Sequence, residues 1–122
     1  LLPQSALARP ILAERLRAHG ALVDVVEAYD TGLGQGGEPV PAFLVEGQID
    51  AITFTSSSTV TNFLKRLAQE GGRRDHLDGV CLAAIGPVTA ATMIEAHLPV
   101  AVMPAEYTLA GLVGALEAYF TR

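Results

Sequence analysis

The chain has 122 residues, half of them hydrophobic and 17% charged, so it can bury a core and is not disordered. Its net charge of -5 argues against general nucleic-acid binding, which requires a basic face to neutralise phosphates. The longest apolar runs are far shorter than the roughly 18 residues of a membrane span, and no signal-peptide pattern opens the sequence. We therefore expect a soluble cytoplasmic protein, with neither nucleic acid nor a membrane as partner.

The first part of the sequence predicts two β-α units. Residues 1–2 end a buried strand, and an amphipathic helix is expected over 8–20, where a glycine stops it. Residues 22–29 form an edge-like strand, because acidic residues interrupt its valines. The glycine-rich loop 30–37 lacks the Gly-Lys-Ser/Thr of a nucleotide-binding loop and leads into a short helix over 40–46. No phosphate is expected at that loop.

The remaining sequence predicts three further β-α units. Residues 80–85 are apolar throughout, which is typical of a parallel strand covered on both faces. Thr108 is placed to cap the last helix. The expected strands are 51–55, 80–85 and 100–103, a charged surface loop covers 71–78, and the helices follow residues 56, 86 and 108.

Five β-α alternations predict an α/β fold, namely a doubly wound five-stranded parallel sheet in the flavodoxin-like order 2-1-3-4-5. We expect one domain over residues 1–122. Ligands of such sheets bind beyond the carboxyl ends of the strands.

Two strand-to-helix turns are expected at that edge of the sheet. The first is hydroxyl-rich and contains Ser56, Ser57 and Ser58; the second contains Gly86, Val88 and Thr89. Unpaired N–H groups at a helix start lie at the positive end of the helix dipole, where a carboxylate or phosphate is favoured. The two turns therefore predict a cleft for a polyanionic small molecule. Serines at a helix start are equally expected as ordinary N-caps.

The cysteine and histidine pattern points to no further chemistry. Cys81 lies within an apolar run and is expected to be a buried small hydrophobe rather than a nucleophile. His19, His76 and His97 share neither a face nor ligand spacing, so no metal site is predicted.

Five stretches, in the same order, resemble the uroporphyrinogen-III synthase family of tetrapyrrole biosynthesis. They are residues 8–23, 26–31, 50–56, 83–90 and 108–116. The resemblance implies a cyclising lyase with two lobes of the doubly wound type and the substrate between them, without metal or organic cofactor. The chain resembles the C-terminal half of such an enzyme.

The resemblance also implies a substrate, a reaction and site residues. Hydroxymethylbilane would lose its hydroxyl, form a spiro intermediate and close with inversion of ring D. Tyr29 matches the family's tyrosine, the candidate proton donor. Ser56 and Thr89 match hydroxyls that face the cleft, and the amides around Ser57, Ser58 and Val88 would hold the substrate's acetate and propionate groups.

The sequence starts at Leu1 without a methionine, so we expect a piece of a longer polypeptide whose second lobe is missing. In an intact parent, residues 1–24 are expected to pair with that other lobe. The isolated half either closes on itself as a monomer, which the number of β-α units favours, or exchanges residues 1–20 with a second copy in a dimer. The fragment alone is expected to be inactive.

Two other functions remain open. A half-enzyme or degenerate relative could be a non-catalytic ligand-binding or regulatory lobe. A flavodoxin-like flavin protein is the third possibility, since residues 55–59 resemble a hydroxyl-rich phosphate loop. That loop follows the third strand here rather than the first, and the chain has no tryptophan to cover a flavin ring.

Overall fold

A computed structural model describes residues 1–6, 8–30 and 32–122. Leu7, which the sequence pattern groups with the apolar side of the first helix, and Thr31, within a matched stretch, lie outside the described residues. The chain divides into two compact units, Leu1–Gln35 and Gly36–Arg122. Both have parallel strands and helices, so the predicted α/β class is confirmed.

The first unit is one β-α-β element. Strand β1 (Leu2–Ser5) pairs in parallel with β2 (Val25–Tyr29), and helix α1 (Ile11–Ala18) connects them. The helix starts later than the sequence predicted, because Pro10 occupies its N-cap position. Every residue of β2 is exposed, as expected of an edge strand.

The second unit is larger and centres on strand β4 (Cys81–Ala84). β4 pairs in parallel with β3 (Ala51–Phe54), and a parallel bridge joins Ala83 to Val102 on its other side. The helices are α2 (Val40–Val45), α3 (Ser57–Gln69), α4 (Pro87–Glu95) and α5 (Leu109–Phe120), with a 3-10 helix at Arg74–Leu77.

The core lies on both faces of β4, all four of whose residues are buried. Alternate side chains of a strand point to opposite faces. Leu82 and Ala84 therefore contact one cluster, which includes Phe54 and Met93, while Cys81 and Ala83 contact another with Leu112 of α5. This confirms the prediction of a central strand covered on both sides.

Other elements differ from the sequence predictions. The expected strand 100–103 is reduced to the bridge at Val102, since Pro104 has no N–H to extend the ladder. The charged segment 71–78 contains the 3-10 helix rather than only a loop. In the described residues the strands form two sheets of two strands each, so the five-stranded order 2-1-3-4-5 is not found there. None of the described helices combines the length and apolar character needed to cross a membrane.

Candidate functional site

The turn between β3 and α3 is stabilised by its own hydroxyl groups. Ser56 is the N-cap in an extended conformation, and its Oγ accepts a hydrogen bond from the Thr59 N–H at 3.2 Å. In return the Ser56 N–H donates to Thr59 Oγ1 at 3.3 Å, which completes a capping box. The Ser56 hydroxyl thus serves its own helix, and within the described structure only the N–H groups of Ser57 and Ser58 are left without an acceptor in this turn.

The turn between β4 and α4 has no such cap. Gly86 is the N-cap residue and has no side chain, and Pro87, the first helical residue, has no N–H. The first backbone bond into the helix is from Ala90 to the Gly86 carbonyl, at 2.9 Å. In the part of the chain that the structure describes, the N–H groups of Val88 and Thr89 have no acceptor. The two turns thus leave the same number of N–H groups unpaired, but only the α3 turn has a side-chain cap.

The two turns lie side by side at one edge of the sheet, because β3 and β4 are paired parallel neighbours that end together at Phe54 and Ala84. Hydroxyl groups connect the helix starts directly. Thr92 Oγ1 donates to Ser57 Oγ at 2.7 Å, and Ser57 Oγ donates to the Val88 carbonyl at 3.4 Å. The sequence placed Ser57 among the ligand contacts, and the structure adds that its hydroxyl holds α3 against α4.

Thr89 is more enclosed than its expected role requires. The residue is only 4% exposed, whereas Val88 beside it is 49% exposed. Within the described structure the Thr89 hydroxyl has no hydrogen-bond partner, yet it is not among buried unpaired polar atoms. Its oxygen therefore keeps a narrow contact with solvent.

Tyr107 is a neighbour of this site that the sequence analysis missed. It lies in the turn after Val102, just before Thr108, which caps α5 as predicted by accepting from the Gly111 N–H at 3.0 Å. A Cβ added to Gly86 would lie 3.3 Å from Cγ of the Tyr107 ring. The segment after Val102, which is bridged to β4, reaches the same edge of the sheet, but no local sequence pattern indicates the contact between Tyr107 and Gly86.

Neither turn carries a charged side chain of its own. Residues 51–59 and 84–92 contain no charged side chain. Arg66, further along α3, is engaged by Glu70 at 3.0 Å and by the Gly36 carbonyl at 2.6 Å. The geometry therefore fits carboxylate groups bound by N–H dipoles rather than by ion pairs.

Comparison with known proteins identifies the family. The family model described as "Uroporphyrinogen-III synthase HemD" matches residues 1–114. The chain belongs to the uroporphyrinogen-III synthase family. It is 39% identical to a putative uroporphyrinogen-III synthase of Methanothermobacter thermautotrophicus, over 94% of this chain and 47% of that relative. It is 36% identical to the uroporphyrinogen-III synthase of Synechococcus elongatus, over 89% of this chain and 42% of that relative. The chain thus spans about half the length of these relatives.

Tyr29, the proton donor that the family resemblance implies, is the last residue of β2 in the first unit. Its side chain is 63% exposed, and its backbone carbonyl accepts from the Ala6 N–H at 2.9 Å. The phenol is thus open to a ligand, and its role as an acid stays a prediction.

Cys81 is buried in the core, as predicted, and burial raises the pKa of its thiol. A thiol that stays protonated is a poor nucleophile. In the described part of the chain, no three His, Cys, Asp or Glu side chains come close enough to hold a metal ion.

Proposed function

We propose that this chain is the C-terminal portion of a cytoplasmic uroporphyrinogen-III synthase, and that its two adjacent turns bind the acidic arms of hydroxymethylbilane. One observation carries the proposal: α3 and α4 start side by side at one sheet edge with the N–H groups of Ser57, Ser58, Val88 and Thr89 unpaired. Membership of the family supplies the reaction.

The substrate matches this edge chemically. A linear tetrapyrrole with acetate and propionate arms presents several carboxylates, each of which accepts hydrogen bonds from backbone N–H groups at a helix start. The net charge of -5 does not attract such a polyanion at long range. Affinity then depends on short-range N–H contacts.

The enzyme's main task in the proposed reaction is to fold the substrate. Loss of hydroxide from hydroxymethylbilane leaves a reactive carbon that a substituted ring carbon attacks to give the spiro intermediate, and fragmentation and reclosure invert ring D. Holding the arms at two fixed turns favours this geometry over direct closure. Tyr29 is proposed to donate a proton to the departing hydroxyl, because its exposed phenol O–H is a hydrogen-bond donor open to a ligand.

We further propose that a second lobe completes the active protein. The chain spans about half the length of its relatives, which supports a partner lobe encoded in the same polypeptide. The order 2-1-3-4-5 remains part of this proposal, since the observed pairs β1–β2, β3–β4 and Ala83–Val102 are all neighbours in it. The isolated chain is then an inactive monomer or a dimer that exchanges residues 1–20.

The test is an isomer assay. Hydroxymethylbilane is generated enzymatically and supplied to the full-length polypeptide that carries this sequence, and the cyclised product is oxidised and separated by chromatography. We expect the type III isomer from the full-length polypeptide and none above the blank from residues 1–122. A full-length protein that yields only the isomer formed without inversion refutes the proposal.

A non-catalytic ligand-binding lobe is the second candidate. It is favoured by the lack of any titratable side chain in residues 51–59 and 84–92, which leaves no acid or base in either turn. Binding of the tetrapyrrole product by the full-length protein without any turnover of the bilane distinguishes this function from the first.

A further inference from the structure

Tyr107 is an exposed aromatic residue that lies against the backbone of the turn between β4 and α4. The atoms nearest to a Cβ built on Gly86 are Cγ, Cβ and Cδ1 of Tyr107, at 3.3, 3.4 and 3.6 Å. Yet 58% of the residue remains exposed. Packing on Gly86 therefore accounts for one edge of the side chain and leaves most of the ring open.

A side chain at Gly86 would be in tight contact with Tyr107. Gly86 has φ of -165° and ψ of 179°, an extended conformation that any residue adopts. Its backbone geometry does not require glycine. Tyr107 occupies the space next to its Cα, so the ring lies close to the start of α4.

The neighbours of the ring are groups that suit a carboxylate. Gly86 precedes Val88 by two residues and Thr89 by three, so the ring contacts the backbone close in sequence to their unpaired N–H groups. Thr89, a residue only 4% exposed, has a hydroxyl that is without a partner in the described structure and keeps a narrow contact with solvent, so it is a second unused polar group at this turn. An open aromatic surface beside unpaired donors fits a ligand that is flat and carries an acidic arm.

We infer that Tyr107 is a binding residue of the proposed synthase: one pyrrole ring of the substrate lies against its phenyl ring while that pyrrole's carboxylate arm binds the N–H groups of Val88 and Thr89. The inference rests on the proposed function and specifies how the α4 turn holds a ring as well as an arm. Aromatic contact of this kind depends on the ring and not on the hydroxyl.

The experiment compares Tyr107→Phe and Tyr107→Leu in the full-length polypeptide, with Tyr119→Leu as the matched control. Tyr119 lies on α5, where its ring contacts Phe120 and Arg122 away from both turns. We measure kcat and KM for hydroxymethylbilane, the isomer ratio, and the melting temperature of each variant. Tyr107→Phe is expected to keep KM within about twofold, and Tyr107→Leu to raise KM about five- to tenfold with little change in kcat.

Each other outcome overturns the inference. An unchanged KM in Tyr107→Leu removes the ring from the site. An equal loss in Tyr107→Phe shows that the hydroxyl acts instead of the ring, and an equal rise of KM in Tyr119→Leu shows a general effect of losing a tyrosine. Failure of the proposed function is recognised separately, because the unmodified protein then forms no type III isomer.

Discussion

Helices α3 and α4 begin at the same edge of one sheet, but their first turns are completed in different ways. In α3, Ser56 and Thr59 form reciprocal hydrogen bonds, so the Thr59 N–H at the helix start already has an acceptor. In α4, glycine and proline leave the Val88 and Thr89 N–H groups free. The serine-rich turn is conspicuous in the sequence, yet the plainer Gly-Pro-Val-Thr turn leaves as many N–H groups unpaired and has no side-chain cap.

The largest effect is expected from giving α4 the cap that it lacks. Gly86→Asp in the full-length polypeptide places a carboxylate at the N-cap, where it accepts the helix N–H groups and repels an anionic ligand. We expect KM for hydroxymethylbilane to rise about tenfold, corresponding to ~1.4 kcal/mol. Steady-state kinetics check this value.

Gly86→Asn is the matched control for that change. It also caps the helix and meets Tyr107 at the same Cβ position, but it carries no charge. KM is expected to rise only about threefold. Equal effects of Asp and Asn would show that crowding of Tyr107, rather than charge, governs the turn.

Removing the cap of α3 is expected to affect stability rather than binding. Ser56→Ala loses the hydrogen bond to the Thr59 N–H and should lower the free energy of unfolding by about 1 kcal/mol. Urea denaturation followed by circular dichroism measures it. Thr108→Ala, which removes the cap of α5, should cost a similar amount. A large rise of KM in Ser56→Ala would instead assign that hydroxyl to the substrate.

The connection between the two turns is tested by Thr92→Val, which keeps the shape and removes the hydroxyl bonded to Ser57. We expect about 0.5–1 kcal/mol less stability and a KM rise of about twofold, because the two helix starts are no longer held together. Unchanged stability and kinetics would show that sheet pairing alone aligns the turns.

The smallest expected effect is a pH dependence of the free energy of unfolding, which arises from Cys81 in the core. Burial raises the pKa of the Cys81 thiol above its unfolded value of about 8.5, so the unfolded chain ionises first. The buried neutral thiol therefore contributes fully to the free energy of unfolding below the unfolded pKa, and this contribution declines as the pH rises above that value. Unfolding measurements between pH 7.5 and 9.5 should show a steeper loss for the wild type than for Cys81→Ala. Parallel curves would contradict this.

Local signals predicted much of the fold. The apolar run that contains β4, the proline that starts α4 and the threonine that caps α5 all act through neighbours in sequence, and the structure confirms each. Strand ends were less accurate, because pairing partners decide them. The Val102 segment illustrates this, since it forms only a bridge.

The candidate site was predicted at the level of turns but not of side chains. Sequence identified both helix starts, yet it could not show that Ser57 would be bonded to Thr92, 35 residues away, or that Thr89 would be enclosed. Tyr107 was missed for the same reason, because its contact with Gly86 spans two turns that are distant in sequence. Such contacts depend on tertiary packing and leave no local pattern.

Ala83 and Ala84 of β4 are fully buried, one toward α5 and the other toward the α3 and α4 layer. A methyl group at each position sets how closely a helix approaches the strand, and therefore how far the α4 amides stand from the end of the sheet. A longer side chain at either position would fit only by moving a helix outward. Natural variation that preserves function should therefore be confined there to residues about the size of alanine, although neither position touches a ligand.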